Sequence, residues 1–310
     1  MKILITGGAG FIGSHLCEHL VDMDHKVIVI DDFSSGLISN LDNISSKITL
    51  ISKKIEDYDF QNSADVDVVV HLAAQASVPF SISNFYESSE TNLLTSIKVI
   101  DFCAKNKIPL VYASSSAIYG ELELGDDESD SLNLLSPYAV DKYAQELYAK
   151  VANLNTNLSS IGLRFFNVYG PRQDPTNPYS GVISIFVSNL LSDKEIIING
   201  GLQTRDFVYV KDVISVIEIA IQKVYNSQTC DSVNVLTGKS FSINYLANKL
   251  IEIIQSKSNI IFRDLPIGDP ERSNGTIEKL KTNYDVKLDN FEDFENGLKF
   301  TVEDMKNGAK

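Results

Sequence analysis

The sequence predicts an α/β fold: a doubly wound parallel sheet with a second, smaller C-terminal domain. Three observations carry that expectation. The candidate strands are short β-branched runs without polar alternation, as strands covered on both faces require. Helical patterns separate them one by one. A glycine-rich turn at residues 7–13 joins the first run to the first helix.

In chain order, KILIT (2–6) is the first strand, followed by a helix from Phe11 and by KVIVI (26–30). ITLI (48–51) and DVVVH (67–71) come next, then a long helical pattern at about 84–106. IPLVYAS (108–114), a helix from Pro137 and LSSIGLR (158–164) continue the alternation. After Pro171 the rhythm loosens, with further prolines at 175 and 178. The expected partition gives residues 1–172 to the first domain. Residues 207–236 return to its sheet through FVYV (207–210) and SVNVL (232–236). Residues 173–206 and 237–310 form the second domain.

At 310 residues, 44% hydrophobic and 22% charged, the chain can bury a sizeable core, which excludes disorder along its whole length. The 27 basic against 41 acidic residues leave a net charge of −14, a field that repels nucleic acid and anionic lipid. No stretch reaches the roughly 18 apolar residues of a membrane span. MKILITGGAGFIG runs into glycines and then Glu18, without a cleavage site, so it reads as a buried strand and not as a signal peptide. Cys17, Cys103 and Cys230 are odd in number and far apart, which suits a reduced, cytoplasmic protein. The arginines (164, 172, 205, 263 and 272) all lie in the second half.

ILITGGAGFIG spaces Gly7, Gly10 and Gly13 as G-x-x-G-x-x-G between strand and helix. Gly7 permits the sharp turn. Gly10 lets backbone approach a pyrophosphate at the helix N-terminus, and Gly13 allows close packing. A glycine turn also serves packing alone; here strand, helix and a following acid agree on a dinucleotide. That acid is Asp31, which ends the second strand where a ribose-diol acceptor is required, and its charge favours NAD over NADP. Its other reading is a turn residue, since Asp32 and Ser34 follow.

SPYAVDK (136–142) offers Ser136 as a helix cap and Pro137 as a start, which places Tyr138 and Lys142 one turn apart on one face. A phenol titrates near 10 in isolation. A neighbouring ammonium, with a positive nicotinamide ring, favours phenolate and equips Tyr138 to exchange protons. VYASSSAIYG brings Ser114, Ser115 and Ser116 to a strand's C-terminal end, where open α/β sheets place ligands. Alone, each pattern is also an ordinary turn or a chance spacing.

Taken together, GGAGFIG, the acid at 31, HLAA (71–74), SSS before YG, YAVDK, LRFFNVYGPR (163–172) and QTRDFVYV (203–210) resemble the extended short-chain dehydrogenases/reductases over nearly the whole chain. Within them the chain is most similar to UDP-sugar 4-epimerases, especially those acting on N-acetylhexosamines. The resemblance implies a Rossmann domain holding NAD through Gly7, Gly10, Phe11, Ile12, Gly13, Asp31 and Ile55. Ala73 and Ala74 would line the cofactor, Asn92, Tyr138 and Lys142 would hold its nicotinamide end, and Phe165 would flank the ring. It implies catalysis by Tyr138, Lys142 and Ser115, with Ser116 as the second choice of serine and no metal. Substrate contacts would come from Ser115, Ser116, Tyr138, Asn167, Val182, Arg205, Asp269 and Ser273, with Arg205 facing the UDP diphosphate.

The implied reaction is 4-epimerisation of UDP-GlcNAc and UDP-GalNAc, or of UDP-glucose and UDP-galactose, through a 4-keto sugar. Related dehydratases and decarboxylases carry acids at the strand end, where this chain has Ser114-Ser115-Ser116-Ala117; a reductase is a further alternative. A non-catalytic NAD-binding protein is at odds with retention of Tyr138, Lys142 and Ser115. Two departures stand out. Lys54 replaces the family's adenine-contacting acid, with Asp57 nearby, and Pro266 replaces a phosphate-gripping arginine, with Arg263 and Arg272 nearby. Ser273, where plain-hexose enzymes tend to carry bulk, leaves room for an N-acetyl group. The family also implies a homodimer through helices at about 84–106 and 137–153; YAVDKYAQELYAKVANL is apolar on more than one face.

Overall fold

β1 (Lys2–Thr6) buries Ile3, Leu4 and Ile5 without residual exposure, as an unalternating apolar run must when both sheet faces are covered. The structure is a computed structural model that describes residues 1–176, 181–265 and 270–308. The chain separates into two compact units. The first comprises Met1–Ile118, Leu134–Arg164 and Ile214–Val233, and the second Tyr119–Asn133, Phe165–Val213 and Asn234–Lys310.

The first unit is built on a seven-stranded sheet. After β1 come α1 (Phe11–Asp22), β2 (Lys26–Asp31), β3 (Ile48–Ser52) and β4 (Val68–His71). Three helices, α2 (Val78–Ser83), α3 (Phe85–Ser89) and α4 (Thr95–Asn106), precede β5 (Leu110–Ser115), α5 (Pro137–Thr156) and β6 (Ser160–Phe165). The expected helical pattern at 84–106 is therefore interrupted: Glu90–Leu94 form a π-helical turn between α3 and α4.

β1 lies between β2 and β4, all parallel, and the register pairs Thr6 with His71. Chain order reverses at this junction, so the crevice beyond these two strand ends is where such a sheet takes its ligand. Leu4, Ile30, Val69, Val99, Leu110 and Leu158 anchor the core beneath. Truncating Leu4, Ile30, Leu110 or Leu158 to alanine costs about 2–5 kcal/mol.

The second unit holds β7 (Asn167–Tyr169), α6 (Val182–Leu191), β8 (Ile196–Asn199) and β9 (Thr204–Tyr209). α7 (Val210–Asn226) leads to β10 (Cys230–Val235), which takes the outer position of the large sheet beside β6. β11 (Ser240–Ser242), α8 (Ile243–Ile254), β12 (Ile260–Arg263), β13 (Arg272–Ser273), α9 (Glu278–Asn283) and α10 (Phe294–Gly308) complete the chain.

Here one expectation is corrected. FVYV (207–210) does not return to the large sheet: β9 pairs with β7, β11 and β13 in a separate small sheet. The physical reason is an aromatic stack that supplies the apolar partner locally. Phe207 lies 6.3 Å from Tyr169 and 5.4 Å from Phe294, which stacks on Phe241 at 4.3 Å. An apolar run specifies burial, not the sheet in which it is buried.

Candidate active site

The turn after β1 is shaped by what its glycines touch. Gly7 has φ +72°, and a Cβ there would sit 2.7 Å from the Ala73 amide nitrogen. A Cβ on Gly13 would overlap the Gly7 carbonyl. Gly10 differs: its nearest neighbour would be the Gly7 carbonyl at 3.3 Å, so its outer side is open. Gly10 also caps α1 without a side-chain hydrogen bond, leaving first-turn N–H groups for an anion. This cradle fits a pyrophosphate. Phe11 and Ile12 are half-buried, and Gly13 is buried.

Asp31 Oδ2 accepts from Ala9 N–H at 2.8 Å, and Oδ1 accepts from Phe33 N–H at 2.9 Å. Burial pushes its carboxyl above the usual range, and those two N–H groups oppose the shift. The acid thus locks the loop after β2 to the glycine turn, and its remaining lone pairs are available to a diol. Ile55 is buried, whereas Lys54 and Asp57 are exposed. Ala73 and Ala74 are half-buried beyond β4. Asn92, buried on the π-helical turn, braces Gln75 from both sides: Oδ1 accepts from Gln75 N–H at 2.8 Å and Nδ2 donates to its carbonyl at 3.0 Å. Nδ2 also lies 3.3 Å from Ser88 Oγ, so both of its protons are committed within the protein.

α5 starts as the sequence dictates, with Pro137 in the first turn and Ser136 Oγ accepting from Ala139 N–H at 3.1 Å. Tyr138 and Lys142 both point inward and are buried. Lys142 Nζ lies 5.8 Å from the Tyr138 ring centroid and donates to the Ala113 carbonyl at 2.8 Å. Ser115, at the end of β5, accepts through Oγ from Ala117 N–H at 3.1 Å. Ser116 opens the short 3₁₀ turn after β5.

In the chain alone, burial raises the Tyr138 phenol, with the Ser115 hydroxyl opposing, and lowers the Lys142 ammonium to about 8, with Asp141 opposing. Removing a cation from water weakens it as an acid-strengthening neighbour. Asp141 in turn accepts from Ser89 Oγ at 2.9 and 3.1 Å.

Sequence reasoning missed a buried ion pair. Arg164 grips Glu146 in bidentate fashion, Nε to Oε1 at 2.9 Å and Nη2 to Oε2 at 2.7 Å, and Ser114 Oγ donates to the same carboxylate. Glu146 stands two turns beyond Tyr138, so the pair ties the helix that carries Tyr138 to the end of β6, and the Ser114 bond ties it to β5, which carries Ser115. The available signal was a scarce arginine in LRFFN with a glutamate on the inward face of α5.

In the second unit, Asn167, Arg205 and Ser273 stand on three neighbouring strands, with Arg205 in register with Ser273. Asn167 Nδ2 donates to the Asp206 carbonyl at 3.2 Å and lies 3.4 Å from Ser273 Oγ. Arg205 Nη1 donates to the Thr204 carbonyl at 2.9 Å. Val182 begins α6, and Phe165 is buried at the end of β6. Arg263 closes β12 and Arg272 opens β13, both with exposed side chains. Asp269 and Pro266 lie outside the described residues. No cluster of His, Cys, Asp and Glu able to hold a metal is found among the described residues.

A glycine cradle, an acid ending β2 and a buried Tyr–Lys pair at the strand ends of a doubly wound sheet define a nicotinamide-dependent enzyme. Residues 3–235 match the NAD dependent epimerase/dehydratase family, and the chain belongs to it; its cofactor is NAD. A UDP-N-acetylglucosamine 4-epimerase from Methanobrevibacter ruminantium M1, solved with UDP-N-acetylmuramic acid, is similar at 36% identity and TM-score 0.93, over 99% of this chain and 98% of that one. A UDP-glucose 4-epimerase from Thermotoga maritima, solved with UDP-glucose, is similar at 33% identity and TM-score 0.89 over the whole of both chains. The UDP-glucose 4-epimerase of Thermus thermophilus, solved with NAD, gives 30% identity and TM-score 0.88 over 99% of each chain.

Proposed function

We propose that the protein interconverts the C4 epimers of UDP-hexoses, foremost UDP-GlcNAc and UDP-GalNAc, with UDP-glucose and UDP-galactose also admitted. The observation that carries this reading is the buried pairing of Tyr138 with Lys142 on one face of α5, in a chain that also ends β5 with Ser115. Tyr138 takes the proton from the sugar's 4-hydroxyl and later returns one to the 4-keto oxygen. Ser115 shares its hydroxyl with that oxygen, and Lys142 holds its place through Ala113. Gly7, Gly10, Phe11, Ile12 and Gly13 hold the pyrophosphate of NAD, with Asp31 on its ribose diol. Bound NAD supplies a hydride acceptor at C4, and its cationic ring favours the phenolate that burial disfavours.

Arg205, Asn167 and Val182 line the nucleotide sugar, and Ser273 leaves volume for an acetamido group. A dehydratase or decarboxylase reading is disfavoured, because the end of β5 reads Ser114-Ser115-Ser116-Ala117, and Glu146, the acid of α5 that reaches Ser114, is already bound to Arg164.

A second copy of the chain is the proposed partner. Phe85, Tyr86 and Leu94 at the α3 end and Leu147, Tyr148, Val151 and Leu154 on α5 are exposed, an apolar face on two helices. Sedimentation at micromolar concentration is expected to give a dimer, and Leu154→Glu combined with Tyr148→Glu to shift it to monomer. We place the protein in the cytoplasm on its free cysteines. No helix is long and apolar enough to cross a membrane among the described residues.

The deciding experiment is incubation with UDP-GlcNAc without added reductant. UDP-GalNAc should accumulate to an equilibrium ratio. A product of altered mass or a requirement for stoichiometric NADH would replace epimerisation with dehydration, decarboxylation or net reduction.

A further inference from the structure

At the C-terminal end of β4, His71 is a buried titratable group that the chemistry above does not use. Its ring nitrogens meet two hydroxyls: Nδ1 is 2.7 Å from Thr6 Oγ1, and Nε2 is 3.0 Å from Ser96 Oγ. Counting protons fixes the direction of each bond. The Ser96 hydroxyl gives its single proton to the Asn92 carbonyl, so toward His71 it accepts, and Nε2 must carry a proton. Thr6 Oγ1 accepts from Ala73 N–H at 3.3 Å and keeps its own proton for Nδ1. Burial, with Lys142 nearby, pushes the ring down to about 3, which keeps it neutral and Nδ1 an acceptor.

The result is one continuous run: Ala73 N–H to Thr6, Thr6 to His71, His71 to Ser96, Ser96 to Asn92. Its ends are the parts of the cradle. Thr6 immediately precedes Gly7, whose missing Cβ would press on Ala73. Asn92 stands on the π-helical turn and braces Gln75. In a π-helical turn the i→i−4 ladder is broken, and here the Thr95 and Ser96 hydroxyls bond to the carbonyls of Thr91 and Asn92. His71 therefore connects the glycine turn, the segment after β4 and the π-helical turn through a single ring.

We infer that His71 is a positioning residue: held as the neutral tautomer protonated at Nε2, it locks these three segments together and sets the shape of the NAD cradle. This rests on reading the glycine turn as the dinucleotide site. Two measurements test it. Long-range proton–nitrogen NMR on histidine-labelled protein at pH 7 should show His71 protonated at Nε2 alone. A ring protonated at Nδ1, or at both nitrogens, overturns the inference.

The second measurement is the release rate of nucleotide from purified holo-protein. His71→Leu, which removes both bonds, should release it at least tenfold faster. His71→Asn, whose side-chain oxygen can still accept from Thr6, should recover most of that loss. Equal release from both variants would assign the effect to lost packing and overturn the positioning role. If His71→Leu fails to fold, the tautomer spectrum of the unaltered protein still decides. Absence of any bound nucleotide in the unaltered protein would sink the dinucleotide reading instead, which the spectrum does not address.

Discussion

The two units treat their polar side chains differently. In the first, Asp31, Asn92, Ser115, Lys142 and Glu146 are each bound to a backbone group or a charged partner, while the Gln145 amide and His25 Nε2 are orphaned among the described residues. In the second, the candidate substrate residues stand on strands two to six residues long, joined by hydrogen bonds of 3.2 and 3.4 Å. Buried acceptors on Gln173, Asn244 and Asn274 have no partner there among the described residues. A satisfied network fixes reacting atoms in advance, while a partly satisfied one leaves bonds for a ligand to complete. Chemistry is expected from the first unit and discrimination from the second.

The largest effect should come from Tyr138→Phe. It removes the proton carrier and should lower kcat by about 10²–10⁴-fold while nucleotide content stays unchanged. Near-normal turnover would mean that the rigid half does not hold the reacting group.

Glu146→Ala sharpens the claim of rigidity. It strands a buried guanidinium and should cost about 3–5 kcal/mol in urea unfolding. A cost within experimental error would show the pair to be incidental.

Lys142→Met probes the same half through pH. Burial lowers the Lys142 ammonium from 10.5 to about 8, so below pH 8 both native and unfolded chains carry its proton, and the native state bears the desolvation cost. Between about 8 and 10.5 the unfolded chain binds more protons, and stability rises with pH. The methionine variant should therefore gain on the unaltered protein at pH 7, by roughly 3 kcal/mol at most, and lose that advantage as the pH rises past the free lysine value. A gap that does not change with pH would locate the effect in packing.

Ser273→Tyr tests the other half and carries the smallest effect. The ratio of kcat/KM for UDP-GlcNAc over UDP-glucose should fall by about tenfold, because a phenol fills volume that the acetamido group needs. An unchanged ratio would move the pocket wall elsewhere.

What the sequence made legible was local. The glycine spacing, the Ser136 cap and the four-residue interval between Tyr138 and Lys142 are short-range relations, and unalternating runs report burial wherever they fall. What stayed hidden depended on residues far apart in the chain. The sheet taken by β9 was decided by Phe241 and Phe294, the role of Glu146 by Arg164, and the π-helical turn by hydroxyls whose partners no periodicity reveals. Likewise, the motif shows the ammonium beside Tyr138 but not the burial that raises the phenol and lowers the lysine.

The position of β10 bears on synthesis at the ribosome. β6 is buried along its length, yet its outer neighbour begins only at Cys230, after the intervening segment from Phe166 to Thr229 has been made. At about 5–20 residues per second, that edge of the sheet waits roughly 3–13 s for its last strand. A nascent chain in that interval presents unpaired amides and a half-covered apolar face to other nascent chains, and chaperone dependence should concentrate there.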